Sequence, residues 1–149
     1  MKQLSLKSPA FSERERIPSA FTCDGEDVNP PLIFENVPDD ARSLALIVED
    51  PDAPGKTWVH WVVFNIPPEV THIDEDSVPP RATEAMTDFG KTGYGGACPP
   101  SGTHRYYFRL YALDTVLDLT EDVRLEEIKH AMKNHILAEA ELVGLYSRE

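Results

Sequence analysis

Residues 57–66 read TWVHWVVFNI. Two tryptophans, three valines, a phenylalanine and an isoleucine crowd into ten positions, bounded by Pro54-Gly55 and Pro67-Pro68. Aromatic and branched residues in a short run between turn formers predict a buried strand. Period-two alternation would place Trp58, His60 and Val62 on one face and Val59, Trp61 and Val63 on the other. Ser43 to Val48 is a second run of this kind. His104 to Leu113 (HRYYFRLYAL) is a third, with three tyrosines and Phe108, and Gln3 to Lys7 alternates polar with apolar.

Thirteen prolines argue against a helical bundle, because each fixes φ and removes a donor. They punctuate the chain between the strand-like runs. Only near the end does the period change: Leu125, Ile128, Met132 and Ile136 recur at steps of three and four, the apolar stripe of an amphipathic helix. Glu126 and Glu127 suit the positive end of its dipole, and the Thr120-Glu121-Asp122 run supplies candidate caps. For Glu139 to Ser147, Gly144 and Tyr146 favour a last strand over a longer helix. Between Glu69 and Gly102 no periodicity survives, which points to a long functional loop between two strong strands. The expected fold is one domain, residues 1–149: all-β, with an α-helix in the C-terminal region.

Twenty-six acidic residues against fourteen basic ones give a net charge of −12. Phosphate backbones repel such a chain, and its Lys and Arg form no stripe, so nucleic-acid binding is disfavoured. No run of 18 apolar residues exists to form a transmembrane segment, and the N-terminus carries no secretory signal pattern; cytoplasm is the simpler location. Cys23 and Cys98 lack metal-type spacing and read as two reduced thiols, although one bridge between them is allowed.

Three places concentrate reactive groups. DPDAPG at 50–55 fixes the directions of Asp50 and Asp52 in a rigid turn, and an Asx-type turn closing a strand accounts for it equally well. His60 lies inside an apolar strand, where a lone histidine is more often a satisfied core residue than a ligand. From Gly93 to Tyr106, glycines free backbone N–H groups to converge on an anion, Cys98, Pro99 and Pro100 stiffen the loop, and Gly102 leads into His104 and Tyr106 on one face of the next strand. Asp, His, Tyr and backbone donors together suit a small phosphate-bearing or zwitterionic ligand.

DPDAPG, the His60-Trp61 pair followed by Asn65, and CPPSGTHRY at 98–106 resemble the two signature regions of the phosphatidylethanolamine-binding protein family, which includes the Raf kinase inhibitor protein of animals. TCDG at 22–25, Asn29-Pro30-Pro31, GYGG at 93–96 and LVGLYSR at 142–148 are similar to its compact bacterial and archaeal branch. The resemblance runs from about Phe11 to Arg148. It implies an antiparallel β-sandwich with Greek-key connections and a pocket for phosphate, acetate or a phospholipid headgroup. Asp50, Asp52, His60, His104 and Tyr106 would line that pocket, with Pro54, Trp58, Pro99 and Pro100 as walls and a cis peptide near Ala53-Pro54. Val59 stands where animal members carry a second adjacent histidine, Ala97 where many prokaryotic relatives carry proline, and the longer C-terminal helix is missing; control of a mammalian-type kinase cascade does not carry over.

Two classes of function follow. In the first the chain is a binding or regulatory protein, with no cofactor and no metal, that holds a small anionic or zwitterionic ligand or a phosphorylated partner; inhibition of a protein kinase or protease extends that role. In the second it is an enzyme, either a Cys98–His–Asp hydrolase or a zinc enzyme using His60, His104 and a carboxylate. Binding is the preferred reading.

Overall fold

The computed structural model describes residues 3–148. Met1, Lys2 and Glu149, which the one-domain reading includes, lie outside the described residues. Eight strands and one α-helix follow in order: β1 (Ser5–Lys7), β2 (Leu32–Glu35), β3 (Ser43–Asp50), β4 (Trp58–Ile66), β5 (His72–Ile73), β6 (Thr83–Glu84), β7 (His104–Leu113), α1 (Leu125–Met132) and β8 (Ile136–Tyr146). A three-stranded sheet runs β1-β2-β5, and a five-stranded sheet runs β6-β4-β3-β7-β8. Every pair of neighbouring strands is antiparallel.

All eight residues of β3 are buried, because both faces of its sheet are covered. Leu44, Leu46 and Val48 meet Leu6, Leu32, Phe34 and Ile73 of the small sheet in one core. Ala45 and Ile47 point the other way, toward Leu125, Ile128 and Met132 of α1. A strand buried on both faces reads as a continuous apolar run rather than an alternation, and the SLALIV run is that pattern. Glu49 ends it on the helix side, held by Arg109 at 2.9 Å with Lys129 of α1 3.6 Å away.

In β4 the expected alternation fails at one residue. Val48 pairs with Trp61 but Glu49 pairs with Val59, so His60 is the extra residue of a β-bulge. Trp61 and Val63 therefore enter the inter-sheet core while Val59 and Val62 face α1. His60 lies on the Trp61 side, edge-on to Tyr106 at 5.2 Å between ring centroids. The face assigned from strict alternation is corrected: His60 and Trp61 share a side, which only a bulge allows.

Helix α1 ends at Met132, one turn short of the predicted stripe, and Ile136 instead opens β8 at 41% exposure. Asn134 takes a left-handed φ of 69°, a common way to end a helix. Arg124, not the Thr120–Asp122 run, stands at the start: its backbone N–H donates to Glu127 Oε1 at 3.0 Å, while Thr120 and Asp122 bond each other. From Glu69 to Gly102 the backbone is irregular except for the two-residue strands β5 and β6.

The reduced-thiol expectation is overturned, since Cys23 and Cys98 form a disulfide closing a sequence separation of 75. The two loops lie side by side through contacts that sequence spacing does not encode. Cys23 N donates to Ala97 O at 3.1 Å, Gly96 N to Asp27 Oδ1 at 2.8 Å, and Tyr94 Oη to the Phe21 carbonyl at 2.7 Å. The expected cis Ala53-Pro54 peptide is also absent: no described peptide bond is cis, and Gly55 at φ 81° completes the turn. Among the described residues no helix is long and apolar enough to cross a membrane.

Candidate functional site

The end of β3, the start of β4, the start of β7 and the Cys98–Pro100 segment enclose a cleft of about 410 Å³. Asp50 closes β3 and is 3% exposed. Its Oδ1 accepts the Asp52 N–H at 2.8 Å, and its Oδ2 accepts His104 Nδ1–H at 2.6 Å. A buried carboxylate needs such partners to offset its desolvation, and these two also fix the imidazole so that Nε2 is its free nitrogen.

His60 donates from Nδ1 to the Gly95 carbonyl at 2.7 Å. Burial pushes its pKa below the ordinary histidine value, against the opposing pull of that carbonyl and of the Asp50 and Asp27 charges. Tyr106, stacked on His104 at 6.3 Å between ring centroids, lines the same cleft. Its hydroxyl oxygen is buried and makes no hydrogen bond of acceptable geometry, although Asp50 and the Cys98 backbone lie near it. Burial, and after it the Asp50 carboxylate, raises its pKa, so the phenol stays a neutral donor. It is the one side-chain polar atom, among the described residues, both sealed from solvent and unpartnered.

Around these polar groups the walls are apolar. Pro54, Trp58, Pro99 and Pro100 stand where the family resemblance implies walls, joined by Ala53, Phe89 and the half-cystine Cys98. Phe89 packs edge-on to Trp58 at 5.6 Å and to His60 at 5.3 Å. Gly95 lets it do so: a Cβ there would meet the Phe89 ring at 2.3 Å. Phe89 escaped the sequence reading; its only signal is a large apolar residue in an otherwise polar turn, TDFGKTG.

Two expected site residues stand outside the lining. Asp52 is gripped by Arg105, whose Nε and Nη2 donate at 2.9 and 2.8 Å and whose backbone N–H donates at 2.8 Å. Those bonds hold its carboxyl down at about 2 despite partial burial, so Asp52 braces the turn while Asp50 points inward. Gly102 is exposed, with φ 71°, and serves the turn into β7. None of the described lysines or arginines lines the cleft. The thiolate that a Cys98 hydrolase needs is tied up in the disulfide, and among the described residues no three His, Cys, Asp or Glu side chains are grouped to hold a metal ion.

The histidine makes a stability prediction. A group whose folded pKa is depressed contributes stability that is complete above its unfolded value, here 6.5, and lost as pH falls toward and through the folded one. The His60→Gln variant should therefore lose less stability than the native chain between pH 7.5 and 5.5 in denaturant titrations. Parallel losses would mean that His60 takes up its proton without cost.

Two packed β-sheets that leave a small cleft with a carboxylate–imidazole pair, a second imidazole and an unpartnered phenol define the class: a β-protein with a ligand-sized polar site between apolar walls. The family model described as phosphatidylethanolamine-binding protein matches residues 7–147, and the chain belongs to that family. A UPF0098 protein of Methanothermobacter thermautotrophicus is 53% identical over 150 residues, covering 97% of this chain and 99% of that one. A phosphatidylethanolamine-binding protein homolog from Chlamydia trachomatis has a solved structure that superposes with a TM-score of 0.95 at 43% identity, covering 99% of each chain. YbcL of E. coli, described as a member of the mammalian family, superposes at 0.93 with 30% identity over 99% of this chain and all of that one.

Proposed function

We propose that the cleft is a binding site for a small phosphate-bearing or zwitterionic molecule, or for a phosphorylated side chain of a protein partner, and that it performs no chemistry on its occupant. The unpartnered Tyr106 hydroxyl carries this reading. A buried polar atom left without a partner costs about 1–3 kcal/mol, and an oxygen of a bound oxyanion removes that cost. His104, its Nδ1 held by Asp50, lines the same cleft with Nε2 left over for a ligand. Family membership supports a ligand-binding protein. Inhibition of a kinase or protease would use the same cleft, filled by a phosphorylated residue of the target.

The test is an NMR titration of amide shifts with inorganic phosphate and phosphorylethanolamine. Saturable shifts confined to residues around Asp50, His60, His104 and Tyr106 are expected, and none at millimolar ligand would refute the site. In His104→Ala and Asp50→Asn these shifts should vanish while the far-ultraviolet spectrum stays native. Undiminished binding in both variants would move the site elsewhere.

A further inference from the structure

Strand β8 is an edge of the large sheet, bonded to β7 on one side only. The later part of its other side is covered by the chain around Arg14. Val143 N–H donates to Glu13 Oε2 at 3.1 Å, and its carbonyl accepts from Arg14 N–H at 2.7 Å. Leu145 N–H donates to the Glu15 carbonyl at 3.0 Å, and its carbonyl accepts from Ile17 N–H at 2.8 Å. Every second residue of an antiparallel strand turns its backbone groups the same way. Those of Glu139 and Glu141 therefore point outward as well, and they have no partner among the described residues. This open stretch follows a bulge whose extra residue, Leu137, is exposed.

The open edge flanks a groove of about 1060 Å³, bounded by the start of β8, the residues leading into β1 and the loop from β2 to β3. Leu4, Val37, Leu137 and Ala138 make its apolar walls, while Asp39, Asp40 and Glu139 add three carboxylates. None of the three is in an ion pair among the described residues, and no lysine or arginine lines the groove. Glu141, next along, is matched by Arg109 at 3.3 Å. The side chains of β8 alternate here: Ala138 and Ala140 pack against the inter-sheet core, and Glu139 and Glu141 stand on the other face. Glu139 pairs with Tyr111, seven residues along β7 from His104, so the groove lies about 23 Å from the cleft.

Charge decides which strand completes this edge. A second copy, pairing β8 with β8 about a two-fold axis, brings glutamate against glutamate, and like charges directly opposite destabilise a sheet. Charged side chains are one way an exposed edge avoids pairing with its own kind. A strand with cations at alternate positions is attracted instead. We propose that the groove and the open edge of β8 dock an extended basic segment of a protein partner. Its backbone pairs with the outward groups of Glu139 and Glu141, as a strand added to the sheet. Its lysines or arginines lie beside those two glutamates, and the apolar residues between them lie over Ala138 and Ala140. Asp39 and Asp40 extend the match, and the net charge of −12 draws such a segment in.

The experiment is an NMR titration of the native chain with a capped heptapeptide alternating valine and lysine, in about 0.15 M salt to screen diffuse attraction. Two controls accompany it: the same peptide N-methylated at every residue, which keeps each charge but cannot donate to a strand, and its valine–glutamate counterpart. The parent peptide should shift the amides of Leu137 to Glu141 and slow hydrogen exchange at Glu139 and Glu141 at least about tenfold. The methylated peptide should bind at least about tenfold more weakly, and the acidic one not at all. Glu139→Gln should weaken binding several-fold. Glu139→Pro, which removes an outward N–H and no bond to β7, should weaken it further; if that variant fails to fold, the methylated peptide decides the same point. Equal affinity of the parent and methylated peptides, shifts without exchange protection at the two glutamates, or no binding overturns the proposal. Protection of both glutamates in a dimer formed without peptide overturns it too, and makes a second copy the occupant.

Discussion

Replacing Trp61 with alanine should lower the unfolding free energy by about 3–5 kcal/mol, the usual cost of emptying a large buried aromatic site. Trp61 is fully buried in the core shared by the two sheets. Its ring meets Tyr94 edge-on at 5.5 Å, and its indole N–H donates to Glu84 Oε2 at 2.7 Å. Truncation leaves a void between sheets pinned on several sides, and strips the bond that ties β6 side chains to β4. Neither can relax cheaply, because Tyr94 is itself anchored to the Phe21 carbonyl. Denaturant midpoints of the two proteins, compared at equal slope, give the number. A loss below about 1 kcal/mol would show that the site collapses around the smaller residue.

What could be read in the sequence follows from how local each determinant is. The strands were legible because burial on both faces of β3, and of much of β4, writes itself into consecutive residues. The helix was legible by its period, but its end was not, since Asn134 halts it by adopting a left-handed conformation that no periodicity announces. The facing of His60 was misread for the same kind of reason: the bulge is a property of the register with β3, not of TWVHWVV alone. Asp50, His60, His104 and Tyr106 suit one ligand by residue type, but that they line one pocket is implied only by the family resemblance, because 54 residues separate Asp50 from the histidine it holds. Asp50 and Asp52 look alike in one turn until Arg105, from the neighbouring strand, pairs with Asp52. Phe89 and the disulfide depend on loops meeting in space, and no spacing rule reaches that far.

Breaking the disulfide, by reduction or in Cys23→Ser with Cys98→Ser, should cost about 4 kcal/mol on the chain-entropy account of a loop this long. The bridge spans 75 residues, half the chain, and that loop contains β2 to β6 and most of the cleft. Freed of it, the unfolded chain gains conformations that the folded state gives up again. The local consequence is as informative as the global one. Cys98 is part of the cleft lining, next to Pro99 and Pro100, and Gly95, whose carbonyl orients His60, lies three residues earlier. Besides the bridge, that segment is tied to residues 21–27 by hydrogen bonds from Tyr94, Cys23 and Gly96, by the β-bridge between Thr22 and Ala97, and by the core that Phe21, Tyr94 and Ala97 share. Loss of the bridge should therefore weaken anion binding as well as stability, and the amide shifts that change on reduction should extend from Cys23 through Gly95 to His60. Denaturant titrations with and without a dithiol reductant measure the first effect, and phosphate titrations of the two forms the second. An unchanged midpoint would mean that the unfolded chain is already held compact by other contacts. Unchanged affinity beside a lowered midpoint would show that the segment's non-covalent contacts position the His60 wall, and that the bridge acts only on the unfolded chain.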